Sequence, residues 1–263
     1  MSKTFIFDTP ETLRFTQARQ QFLQGFLPNL KQSLGLETAI DVGCGLGDFS
    51  LYLRDFGFRV TALDGRNENL EEAQRRVENV SFYQANVEDQ SLPTLGSFDL
   101  VLCVGLLYHL ENPFRAIRNL FALTGKVLIV ESICIPDRSS ILYLMDEANL
   151  DDQGLNYVAF YPSESCLIKM FYRAGFSFVY RFRTFPDHQQ FRKTEDRKRS
   201  RTMLVASQVT LDEPALALAE EPGNSQDPWL LRWPGLKRRV ISFLRRPWNE
   251  KFQAVRQRLR ASV

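Results

Sequence analysis

The sequence predicts an α/β fold, a mostly parallel sheet of seven strands flanked by helices, with an antiparallel last strand and a basic helical tail. Three observations carry this. Strand-like and helical patterns alternate five times between Thr38 and Glu131, which implies right-handed crossovers and a parallel sheet. Two later segments, Phe176 to Phe182 and Thr202 to Ser207, alternate like a closing antiparallel hairpin. Asp41, Asp64, Asn86, Tyr108, His109 and Glu131 all fall at the carboxyl ends of predicted strands, where sheets of this kind bind ligands.

The elements follow in order. Residues from about Pro10 to Leu34 read as helical, with Phe15, Phe22, Leu23, Phe26 and Leu27 as a buried face. Thr38 to Val42 is the first strand. It runs into Gly43, Gly45 and Gly47 and then a helical pattern through Leu53. Glycine at every second position marks positive φ, or a place where a ligand lies against bare backbone. The helix that opens there directs its free N–H groups into the crevice. Phe58 to Leu63 is the second strand and ends at Asp64, whose carboxylate suits the two hydroxyls of a ribose; helix capping is the plainer role. Val80 to Gln84 runs into Asn86-Val87-Glu88-Asp89, and Phe98 to Cys103 runs into the loop Val104 to Pro113. Pro113 fits the first turn of a helix carrying Phe114, Ile117, Leu120 and Phe121 on one face. Lys126 to Val130 is the fifth strand, ending at Glu131.

Beyond it, Ile141 to Leu150 reads as a helix, followed by a polar loop and the aromatic run Tyr157 to Pro162. Ser163 or Ser165 caps a helix that ends at Ala174-Gly175. This insertion, about 132–175, is expected to roof the acceptor side. Residues 192–201 form a mixed, mostly basic loop that reads as a solvated surface. Residues 210–228, rich in Pro, Ala, Glu and Gly, read as a flexible acidic linker. From Trp229 to Val263 there are ten Lys/Arg and one acid, a charge of +9, against −7 for the rest of the 263 residues. Val240, Leu244, Trp248, Phe252, Val255 and Leu259 stripe this tail at steps of three or four. Such a basic amphipathic helix suits a protein partner, an anionic membrane surface or nucleic-acid phosphates.

Composition excludes several classes. The four cysteines form no C-x-x-C pair and the two histidines no cluster, so neither a zinc site nor a disulfide framework is expected and no metal is assigned. No apolar run reaches the ~20 residues of a spanning helix, and the N-terminus lacks an apolar signal region. A cytoplasmic location is expected, with peripheral membrane contact through the tail as an option.

The stretch Ile40-Asp-Val-Gly-Cys-Gly-Leu-Gly-Asp-Phe49 resembles the first motif of the class I S-adenosylmethionine-dependent methyltransferases, with its [D/E]-x-G-x-G-x-G pattern. It is neither a dinucleotide fingerprint nor a P-loop. The resemblance covers about Pro10 to Ser207 and implies a Rossmann-like domain over residues 1–209, with the first helix as a lid. It implies S-adenosylmethionine as cofactor, with Asp41, Gly43, Gly45 and Gly47 closing on it, Asp64 and Gly65 at the ribose and Asn86 and Val87 at the adenine. Cys103 and Tyr108 complete the cofactor pocket, although packing is the plainer role for the cysteine. The expected reaction is methyl transfer to an O or N of a small-molecule acceptor. His109 is the candidate base, set against a loop-bracing role; Glu131 is the second candidate, set against capping. The Y-H loop, Pro162-Ser163, Gly175-Phe176 and Thr194, Glu195 and Arg197 are similar to the tRNA wobble-uridine carboxymethyl transferases. That group has a long region before its cofactor domain, so ordinary S-adenosylmethionine is inferred. An RNA acceptor and a non-catalytic assembly or targeting module stand as alternatives.

Overall fold

The computed structural model describes residues 5–148, 150, 152–192 and 200–223. The tail from Trp229, the end of the linker, and Thr194, Glu195 and Arg197 lie outside the described residues. Helices α1 (Pro10–Gln24) and α2 (Leu27–Leu34) precede β1 (Thr38–Val42), α3 (Asp48–Asp55), β2 (Arg59–Asp64), α4 (Asn67–Arg76), β3 (Val80–Gln84), β4 (Phe98–Val104), α5 (Pro113–Leu123) and β5 (Thr124–Cys134). Then come β6 (Leu142–Asp146), β7 (Val158–Pro162), α6 (Glu164–Ala174), β8 (Phe178–Phe182), β9 (Ser200–Ser207) and β10 (Leu216–Leu218).

Eight strands form one sheet in the order β10-β8-β9-β5-β4-β1-β2-β3. The five from β3 to β5 are parallel; β9 runs antiparallel to β5, β8 to β9, and β10 to β8. The order reverses between β1 and β4, which places a crevice outside their carboxyl ends. Successive strand residues face opposite sides. Ile40, Val42, Val101, Cys103, Leu128 and Val130 meet the α5 and α6 residues Ile117, Leu120, Leu167 and Phe171 in one core. Ala39, Leu100, Leu102, Val127 and Ile129 meet Phe15, Leu23, Phe26 and Leu27 of the N-terminal helices in the other.

Three expectations are corrected. The single N-terminal helix is two, because the chain breaks at Gly25 and Phe26 and Pro28 starts afresh in the first turn of α2. Ile141 to Leu150 holds a strand where a helix was expected. Its residues Leu142 to Asp146 pair antiparallel with β7, so that Met145 shares a face with the buried Ala159. Aromatic and aliphatic residues in a short run suit either period, and the β7 partner decides it. The expected linker contributes an eighth strand. Its Leu216 and Ala219 are buried, and Ala219 N–H donates to Val179 O at 2.8 Å. The first compact unit accordingly extends to Pro222. Among the described residues no helix is long and apolar enough to cross a membrane.

Candidate active site

A cavity of about 320 Å³ opens at the carboxyl ends of the parallel strands. Its floor is the turn after β1. Gly43 and Cys44 both donate N–H to Leu63 O, at 2.8 and 2.9 Å. Gly45 has φ +54°, and a Cβ there would lie 3.1 Å from the Phe7 ring, so only glycine leaves this backbone bare to a ligand. Its N–H donates to Asp64 Oδ2 at 2.9 Å, while Asp64 Oδ1 accepts from Arg66 N–H at 2.8 Å and Asn69 Nδ2 at 3.4 Å. Asp64 thus braces the glycine turn and still has lone pairs to offer ligand hydroxyls.

Acids crowd this wall. Asp41 is buried and accepts from Ser50 Oγ at 2.7 Å. Burial, with Asp64 and Asp48 adding repulsion, pushes its carboxyl up to about 7. Burial also raises the carboxyls of Asp64 and Asp48 above the usual range. A cation in the cavity would relieve all three.

A second corner is basic. Glu131 is fully buried on β5, and its two oxygens accept from Arg19 Nη1 at 3.3 Å and Arg201 Nη1 at 2.8 Å. Arg201 Nη2 donates to Tyr108 Oη at 3.1 Å and its Nε to Gln190 at 2.7 Å. Arg19 Nη2 donates to Thr16 Oγ1 at 3.0 Å, its guanidinium lies 4.0 Å from the Phe15 ring centroid, and its Nε has no partner among the described residues. Two guanidiniums on one carboxylate leave net positive charge. Burial lowers the Arg19 pKa, with Glu131 opposing it, and an anion beside it would complete the pairing.

The third corner is the loop between β4 and α5. His109 lines the cavity; its Nδ1 lies 2.6 Å from Glu147 Oε1, and its ring centroid 4.1 Å from that of Tyr108. Glu147 Oε2 accepts from Gly154 N–H at 2.8 Å. Burial works to raise the Glu147 carboxyl, but the His109 hydrogen bond and charge and the Gly154 N–H hold it below the ordinary value. Over the cavity lies the segment from Asp152 to Leu155. Arg66 donates to Gln153 O at 3.2 Å and to Gly154 O at 3.0 Å.

Of the residues expected at the cofactor, Gly43, Gly45, Asp64, Gly65, Asn86, Val87 and Tyr108 line the cavity, as does His109. Asn86 uses its side-chain oxygen to accept Glu88 N–H at 2.9 Å, and Asn119 Nδ2 donates to Val87 O at 2.8 Å, which together fix that turn. Four residues stand elsewhere. Cys103 is fully buried in the core under α5, because alternation along β4 turns it away from the opening. Cys44 takes a place on the lining instead. Asp41 is buried and is not on the lining. Gly47 faces α4, where an added Cβ would lie 3.0 Å from Val77. Glu131 is not on the lining and has both oxygens held by arginines, so it is replaced as a base candidate by a structural ion pair.

Sequence reasoning missed Arg19, Arg66, Glu147 and Arg201. A signal existed for two. Arg19 is the charged residue on the apolar face of α1. Arg201 keeps the inward phase of Met203 and Val205, both fully buried, and so is not part of a solvated loop. Arg66 and Glu147 carry no such signal, since their partners come from distant loops.

Residues 40–126 match the profile of a methyltransferase domain family. The chain is 33% identical over 91 residues to a ubiquinone biosynthesis O-methyltransferase of Vibrio parahaemolyticus, covering 33% of this chain and 39% of that protein. A protein of the same name from Psychrobacter arcticus is 28% identical over 163 residues, 56% of this chain and 62% of its own length. The chain thus spans about two fifths of the length of the first of these curated relatives. Among solved structures, the N-terminal domain of EvdMO1 with SAH bound superposes with a TM-score of 0.59 at 21% identity, covering 73% of this chain and 80% of that one. Magnesium protoporphyrin IX methyltransferase from Synechocystis PCC 6803 with bound SAM gives 0.52 at 18% identity, covering 80% and 86%. At these identities the structural likeness establishes the Rossmann-like fold.

Proposed function

We propose that this chain is an S-adenosylmethionine-dependent methyltransferase that moves a methyl group to a hydroxyl of a small-molecule acceptor by direct in-line transfer. The observation that carries the reading is the polarity of the cavity. Three carboxyls with raised pKa surround the glycine turn, and a buried arginine whose Nε has no partner among the described residues lines the same cavity. That pattern fits a ligand bearing a sulfonium and ammonium beside a carboxylate. The match over residues 40–126 supports the same class, and the O-methyltransferase names of the curated relatives favour oxygen over nitrogen as the acceptor atom.

On this reading Asp64 takes the ribose hydroxyls, the Asn86–Val87 turn faces the adenine, Gly43 and Gly45 pass under the cofactor, and Arg19 faces its carboxylate. When bound, the cofactor supplies a methyl group already activated on a cationic sulfur. The chain's own task is then to hold the acceptor oxygen in line, exclude water and take a proton. On this reading His109, which lines the cavity, takes it. Tyr108, Tyr161 and Ile133 line the wall near it and suit an apolar or aromatic acceptor.

Two of the features resembling the tRNA enzymes have structural roles here. Ser163 caps α6 by accepting Cys166 N–H at 3.1 Å, and Gly175 ends that helix at φ 123°. The RNA reading therefore gains nothing from them. Calorimetric titration of S-adenosylmethionine and S-adenosylhomocysteine into the chain and into Asp64→Ala tests the proposal. Saturable binding that the variant loses supports it; a folded chain that binds neither ligand overturns it.

A further inference from the structure

Glu147 stands on the loop after β6, 38 positions from His109 in sequence, yet its side chain is 2% exposed and its Oε1 lies 2.6 Å from His109 Nδ1. Its other oxygen is occupied by Gly154 N–H. A carboxylate only accepts, so the ring nitrogen facing it must carry the proton. The neutral ring then has its lone pair on Nε2.

We propose that Glu147 is the positioning residue of His109: it holds the imidazole in the Nδ1–H form, with Nε2 left to take the acceptor's proton. This rests on the methyltransferase reading above and adds to it the group that orients the base. The step balances simply. The acceptor oxygen bonds the methyl carbon, the bond from that carbon to sulfur breaks with its electron pair on sulfur, and the hydroxyl proton passes to Nε2. Glu147 stabilises the imidazolium until water removes that proton.

The geometry adds a second consequence. Gly154 packs against the backbone carbonyl of His109 so closely that an added Cβ would overlap it. Its carbonyl accepts from Arg66, two residues past Asp64. One loop therefore joins the cofactor side of the cavity to the base, and the dyad is complete only while that loop is docked.

The test uses the full chain with ¹⁵N-labelled histidine. The sequence has two histidines, His109 and His188, and His188→Gln assigns them. At a pH where both rings are neutral, nitrogen shifts report which ring atom holds the proton. The wild-type His109 ring is expected in the Nδ1–H form. Glu147→Gln is isosteric; its oxygen keeps the Gly154 N–H and its amide then donates toward His109. The ring is expected to change to the Nε2–H form while S-adenosylhomocysteine still binds. Glu147→Asp, which keeps the charge and shortens the reach, is expected to lose part of the Nδ1–H form. A residue that merely braces the loop would leave the tautomer unmoved. An Nε2–H ring in the wild type, or an unchanged ring in Glu147→Gln, overturns the proposal. A wild-type chain that shows the Nδ1–H ring but binds neither S-adenosylmethionine nor S-adenosylhomocysteine sinks the methyltransferase reading instead, and with it the base role, leaving the His109–Glu147 pairing as structure.

Discussion

The turn after β1 and the loop between β6 and β7 enclose one cavity but are held by different means. In the first, backbone meets backbone: Gly43 and Cys44 bond Leu63 O, and β1 pairs with β2 over five residues from Thr38 to Val42. In the second, side chains reach across from elsewhere: Arg66 to the Gln153 and Gly154 carbonyls, Glu147 to Gly154 and His109, and Asn156 to Glu111 at 2.9 Å. The faces differ too. Floor residues such as Ile40, Val42 and Leu63 are buried, whereas Leu142 and Leu144 of β6 remain 40% and 56% exposed. A region built on ladders and core is rigid to the extent of the fold, while a region held by a few polar latches opens at a lower free energy. On the proposed reading, that division puts ligand entry at the roof and ligand placement on the floor.

The largest effect is expected where the two regions meet. His109→Gln removes the proton acceptor and should lower the single-turnover transfer rate by about 10²–10⁴-fold, with cofactor affinity unchanged by calorimetry. Equal loss of both would make His109 part of the floor. Next, Gly45→Val forces a side chain onto a backbone at φ +54° against Phe7; cofactor affinity should fall about tenfold or more, and backbone strain should lower the thermal transition by a few degrees.

The floor's acids set a pH dependence. Their raised carboxyls take up protons as the pH falls, Asp41 at about 7. A bound cation favours the ionised forms, so S-adenosylmethionine binding should release protons and strengthen several-fold from about pH 5.5 to 8. S-adenosylhomocysteine lacks the sulfonium charge and should show a shallower slope in the same titration. For stability without ligand the sign is opposite. The native state keeps protons that the unfolded chain has released above ~3.9, so stability falls as pH rises from there through about 7.

Arg66→Ala removes a roof latch and leaves the floor intact. Hydrogen exchange should rise across 152–157 and stay unchanged across β1 and β2, with S-adenosylhomocysteine affinity reduced only a few-fold. Matching protection in both regions would erase the distinction. The smallest effect belongs to Leu144→Ser on the open face of β6, where thermal unfolding should move by less than about 1 kcal/mol.

How far the sequence went follows the same line. The parallel half of the sheet was legible because each βαβ unit carries its own strand run, turn residues and helix stripe; Gly43, Gly45 and Asp64 line the cavity where that pattern put them. The β6 strand was misread as a helix because Ile141 to Met145 satisfies both periods within so short a run. Glu131 was expected at the end of the fifth strand but lies within it, since β5 runs on to Cys134; its pairing with Arg19 and Arg201 was invisible, since those partners lie 112 and 70 positions away. The strand in the expected linker, Leu216–Leu218, owes its place to the free edge of β8.

The sequence by itself determined the α/β class, the glycine turn and the acids at the strand ends, because these depend on local periodicity and on the backbone freedom of glycine. Only the tertiary structure decided which charges pair, which oxygens stay free and what covers the cavity. Those outcomes depend on side chains from separate elements meeting at 3 Å or so in a low-dielectric space, and no spacing along the chain encodes such a meeting.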